Sequence, residues 1–86
     1  LTEKNWCQGW FAKENRGTDC DANSSDAVAW CLLGAIIRCY SDTDIRFRVW
    51  DRFASLIRVL HGETMERFND TAEWEDVECL LETIDA

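Results

Sequence analysis

The chain has 86 residues, with 17 Asp and Glu against nine Lys and Arg, for a formal net charge of −8. It is 47% hydrophobic with five Trp, four Phe and no proline, a content that excludes intrinsic disorder. The acidity argues against direct nucleic-acid binding, and the length leaves room for one domain, residues 1–86, with a radius of gyration of about 12 Å; the element pattern that follows makes it a helical one.

Charge is unevenly placed. Residues 1–62 hold eight acids and eight bases, whereas the 24 residues from Glu63 onward hold nine acids and one base, Arg67. The whole net charge therefore belongs to the C-terminal segment, and a one-signed surface selects partners by its field.

Leu1 to Gln8 has helical character. Glu14-Asn15-Arg16-Gly17 has turn chemistry, since Asn and Gly tolerate positive φ. Between Trp10-Phe11 and Thr18 it reads either as a small hairpin or as an ordered loop. Asn23-Ser24-Ser25-Asp26 reads as a helix N-terminus, and the apolar run Ala27 to Ile37 predicts a helix over Ser25 to Tyr40. A helix apolar on every face belongs at the centre of a fold. Gly34 costs about 1 kcal/mol there relative to Ala, a cost best explained by close approach of a neighbouring helix or the Trp10 loop.

Ser41-Asp42-Thr43-Asp44 caps a second helix over Thr43 to Leu60. Its buried stripe is Phe47, Val49, Trp50, Phe53, Leu56, Ile57 and Leu60, and His61-Gly62 ends it. Glu63 to Phe68 forms a short helical turn. Asn69-Asp70-Thr71 then initiates a last helix over Thr71 to Asp85, with Asp70 as its cap at capping-box spacing from Glu73. Trp74, Val77, Leu80, Leu81 and Ile84 line its buried side. The expected fold class is mainly all-α: a compact bundle of three to four helices around a buried central helix, covered by Trp6 and Trp10, with a small N-terminal β-hairpin as an optional addition.

The five cysteines (Cys7, Cys20, Cys31, Cys39, Cys79) are odd in number and show no paired spacing, which points to reduced thiols and a cytoplasmic location. No leader pattern is visible, and the longest apolar run is too short to span a bilayer.

Three segments carry a family resemblance: Trp6-Cys7-Gln8-Gly9, then Cys31-Leu32-Leu33-Gly34-Ala35, then Phe68-Asn69-Asp70 before a final amphipathic helix. In their order and spacing the chain resembles a family of small bacterial and phage proteins of unknown function, from Asn5 onward. The resemblance implies a compact, mainly helical fold and assigns no activity.

Candidate chemistry is sparse. Asp70 could be a general base or metal ligand, but nothing nearby completes a catalytic set, and helix capping explains it, with Asn69 tying down the preceding turn. Cys31 and His61 could pair as nucleophile and base, yet Cys31 lies among apolar neighbours where burial makes a thiol inert. One His and scattered Cys give no zinc spacing. No catalytic, cofactor or metal residue is therefore assigned, and no cofactor is expected. Arg46, Arg48, Arg52 and Arg58 are interleaved with acids and read as a solvated face or as internal partners of the acidic segment. The remaining candidate is that segment. Glu73, Glu75, Asp76, Glu78 and Glu82 are expected to dock on a protein partner with a basic surface, with solubility as the plain alternative. The functional expectation is a non-catalytic acidic interaction module. Its concrete form is a phage-encoded inhibitor that blocks a nucleic-acid-binding site on a host protein. A small thiol- or metal-dependent enzyme using Cys31, His61 and Asp70, or a structural subunit of a larger assembly, are the other two readings.

Overall fold

Glu14-Asn15-Arg16-Gly17 turns the chain back on itself. The Gly17 amide donates to the Glu14 carbonyl at 2.8 Å, and Gly17 takes φ +83°, a conformation natural to glycine. The turn joins β1 (Ala12–Glu14) to β2 (Asp19–Cys20), antiparallel, with Lys13 opposite Asp19 and an ion pair of 2.9 Å between them. The computed structural model describes residues 1–85.

A third strand, β3 (Ala27–Trp30), pairs antiparallel with the other edge of β1 to give the order β2-β1-β3. The N-terminal segment extends the sheet in parallel beyond β3: the Trp30 amide donates to Asn5 O at 2.7 Å and the Cys7 amide to Trp30 O at 3.0 Å. This sheet corrects the all-α expectation. The protein is a mixed α/β fold in which helices predominate.

The correction falls on the apolar run. Its first four residues are strand, and Cys31, extended at φ −75° and ψ 176°, begins α1 (Leu32–Cys39) by accepting the Gly34 amide on its sulfur at 3.2 Å. A continuous apolar run bounded by turn residues fits a strand as well as a helix. Here β1 has an open edge, and pairing with it settles the choice. Val28 faces out, so the run is not surrounded on all sides.

Three helices follow. α2 (Thr43–His61) starts where the Asp42 carboxylate accepts the amides of Asp44 and Ile45, and stops at Gly62 in the left-handed region, φ +67°. α3 (Met65–Thr71) is capped by Thr64, and α4 (Trp74–Asp85) follows it. Each helix contributes two side chains to one core: Leu32 and Ile36, Phe53 and Ile57, Met65 and Phe68, Val77 and Leu80. At 19 residues α2 outreaches its partners of eight, seven and 12. Its expected stripe is therefore buried only in the middle: Phe53 and Ile57 are covered, while Phe47 stays 68% exposed and Leu60 is also open.

Gly34 has the role its position in a helix demanded. A Cβ built on it would lie 1.8 Å from the Phe11 carbonyl oxygen. That oxygen accepts the Cys31 amide at 3.1 Å. The missing side chain is what lets the segment after Trp10 seat on α1.

Candidate functional site

The three segments that carry the resemblance converge on the end of α3. Asn69 is 3% exposed, in the last turn of that helix. Its Oδ1 accepts the Trp6 indole N–H and the Leu32 amide, both at 2.9 Å, while its Nδ2 donates to Cys7 O at 3.0 Å and reaches Asp70 Oδ1 at 3.5 Å. All four hydrogen-bonding positions of the amide are filled, which makes it a satisfied buried polar group. Gln8 adds bonds to the carbonyls of Asn69 (3.0 Å) and Ala72 (3.1 Å), supplying partners that a helix C-terminus lacks. Asp70 Oδ1 accepts the Gly9 amide at 2.8 Å, and Gly9 takes φ +88°.

Two expectations change here. Asp70 does not cap the last helix; it sits inside α3 and holds Gly9. The cap-like bond at α4 is made by Asp76, whose carboxylate reaches the Glu73 amide at 3.4 Å. Asn69 ties down the N-terminal segment and the start of α1, not the turn before it. The long-range role was invisible because its partners Leu32 and Trp6 lie 37 and 63 residues earlier in the chain.

Beside this junction lies a recess of about 150 Å³, walled mostly by apolar atoms. Buried Cys31 and Met65 and half-buried Leu33 line it, together with the more exposed Trp10 and Phe11 and the α3 acids Glu66 and Asp70. Trp10 is 47% exposed, so it does not cover the core as Trp6 does. No local pattern groups Trp10, Phe11, Leu33, Met65 and Glu66; the one pointer was that the Trp6–Gly9 and Phe68–Asp70 segments both belong to the resemblance.

Cys31 and Asp70 therefore share one recess, but His61 does not join them. It packs on Phe68 with ring centroids 4.6 Å apart. Burial pushes the Cys31 thiol above its ordinary range, opposed by the Gly34 and Leu33 amides. Burial likewise raises Cys7 to about 11. Both are poor nucleophiles at neutral pH. All five cysteines are free. Among the described residues no three His, Cys, Asp or Glu side chains gather to hold a metal ion, and no helix is long and apolar enough to cross a membrane.

The acids singled out in the sequence, Glu73, Glu75, Asp76, Glu78 and Glu82, are all solvent-exposed along α4 and the residue before it. Glu75, Glu78 and Glu82 follow the three- and four-residue spacing of one helix side. Among the described residues the ion pairs are Lys13–Asp19 and Arg67–Glu63 (3.9 Å), so none of these five is neutralised within the chain. Three arginines are engaged with backbone carbonyls instead: Arg46 with those of Ile37 and Tyr40, Arg52 with that of Ile84, Arg38 with those of Ala22 and Ser24.

A family model described as a family of unknown function (DUF6197) matches residues 1–84. No curated protein and no solved structure matches the chain.

Proposed function

We propose that this chain, which belongs to the family of unknown function DUF6197, is a non-catalytic interaction protein that docks on a basic partner through the outer face of α4. The observation that carries this reading is the row of exposed carboxylates without an intrachain cation among the described residues. Like charges three or four positions apart on a helix repel by a few tenths of a kcal/mol per pair. Folding alone gains nothing from that arrangement. A basic partner relieves the repulsion and is steered toward it. In its concrete form the face stands where phosphates would, in a nucleic-acid-binding groove of a host protein, as a phage-encoded inhibitor would require.

The test is capture from the source cell with the native chain and with a Glu75→Gln/Glu78→Gln/Glu82→Gln variant, at about 0.05 M and about 0.5 M salt. The reading expects a basic, DNA- or RNA-binding protein that is held at low salt, released at high salt, displaced by duplex DNA, and lost with the variant. Equal retention by the variant, or retention indifferent to salt, overturns it.

A further inference from the structure

We infer that the recess between the Trp10–Phe11 segment and α3 is an anchor site for a single arginine side chain of a partner protein. The proposal does not rest on docking through α4; the two surfaces use different residues.

Trp10 and Phe11 pack edge to face with centroids 5.4 Å apart, yet both leave much of their surface in solvent. The backbone that presents them is fixed on both sides. Gly9 is held by Asp70, and the Phe11 carbonyl lies in the notch left by Gly34 while accepting the Cys31 amide. A rigidly held but uncovered aromatic pair is preorganised for a ligand, because little ordering remains to be done on binding.

Charge selects the ligand. Glu66 and Asp70 lie four positions apart on α3, both are exposed, and neither is in an ion pair among the described residues. Asp70 engages the chain through Oδ1. The Leu32 and Gly34 amides at the start of α1, which would favour an anion, are already taken by Asn69 and the Cys31 sulfur. The recess therefore favours a cation with an apolar body.

Size and shape narrow it further. At about 150 Å³ the recess is smaller than the roughly 300–1,000 Å³ of small-molecule and cofactor sites, and suits one long side chain. An arginine can lay its methylene stem along Leu33 and Met65, stack its guanidinium on the indole, and present a planar fork to a carboxylate. A lysine offers a strongly hydrated point charge without the fork.

The experiment is an NMR titration of the whole chain with three blocked pentapeptides, Gly-Gly-X-Gly-Gly, where X is arginine, citrulline or lysine. The expected result is saturable movement of the Trp10 indole and Gly9 amide signals with the arginine peptide. Citrulline, which keeps the shape and removes the charge, should bind about ten-fold more weakly, and lysine in between. Trp10→Ala, read at Gly9, and Glu66→Gln should each weaken arginine binding about five-fold, with the remaining amide spectrum unchanged. Glu75→Gln/Glu78→Gln should leave it within about two-fold. Three results overturn the proposal: citrulline binding as tightly as arginine, movement confined to α4 and lost with the Glu75/Glu78 variant, or no movement at about 10 mM peptide.

Discussion

Asn69 and Glu78 lie on consecutive helices and are treated in opposite ways. At Asn69 every donor and acceptor is matched, across segments distant in sequence, with almost no contact with water. On the outer side of α4 charged groups accumulate with no intrachain cation beside them. A buried polar group left without partners costs far more than an exposed charge gains or loses, so the fold spends its geometric precision on the first region and leaves the second free. Asn69 and Gln8 thus serve architecture, whereas the exposed acids of α4 carry little structural cost.

The sharpest way to break that contrast is Asn69→Ala. It strands the Trp6 indole, the Cys7 carbonyl and the Leu32 amide together, and a loss of about 3–5 kcal/mol is expected by chemical denaturation. That is a large share of the roughly 5–10 kcal/mol such a chain possesses. A loss below about 1 kcal/mol would mean that the N-terminal segment is held by apolar contacts instead. Next in size is Gly34→Ala. Helix propensity alone would stabilise α1 by about 1 kcal/mol. The structure puts the new Cβ against the Phe11 carbonyl, and the expected net result is a loss of about 2–3 kcal/mol. A gain would show that the Phe11 segment moves aside freely, and the rigidity argued for the aromatic pair would fall with it.

The helix from Thr43 was legible because its signals are local, whereas the last helix starts at Trp74 and not at Thr71. Asp42 as cap, Gly62 as stop and the Phe53–Ile57 core pair all follow from spacing within one turn or two. The sheet was not, because Ala27–Trp30 carries no local preference strong enough to choose strand over helix; the choice is made by the free edge of β1, some 15 residues earlier. The optional hairpin was legible at its turn and not at its third strand. At the candidate site, the exposure of the α4 acids followed from their spacing opposite Val77 and Leu80. The Asn69 junction and the recess did not, since both are products of long-range closure. Asp70 was misplaced for the same reason: capping is a local habit of Asp, and a distant glycine amide outcompeted it.

A smaller effect separates the buried thiols from the exposed ones. The Cys7 proton is held until about pH 11 in the folded chain, against 9.0 for a free thiol, chiefly because burial disfavours the thiolate. Between those values the unfolded chain binds fewer protons than the folded one, so stability falls as pH rises through that window and is unaffected below it. Denaturation of the native chain and Cys7→Ala at pH 8 and pH 10.5 should show the steeper alkaline loss in the native chain, with the difference vanishing at pH 8. A thiol reagent at pH 7.5 should modify Cys39 and Cys79, which are exposed, well before Cys31. Rapid modification of Cys31 would restore the thiol-enzyme reading.

The smallest expected effect tests the other half of the comparison most directly. Glu82 lies in the last turn of α4, where the helix dipole disfavours an acid, and four positions after Glu78. Replacing it with lysine removes one repulsion and creates a favourable pair, so Glu82→Lys should stabilise the chain by about 0.5 kcal/mol at low salt. The gain should shrink as salt screens it. A residue that can be improved so easily is held by something other than stability. If Glu82→Lys stabilised the fold and also left partner capture untouched, the acid would be serving solubility alone; if capture is lost while stability rises, the two demands are separated at a single position.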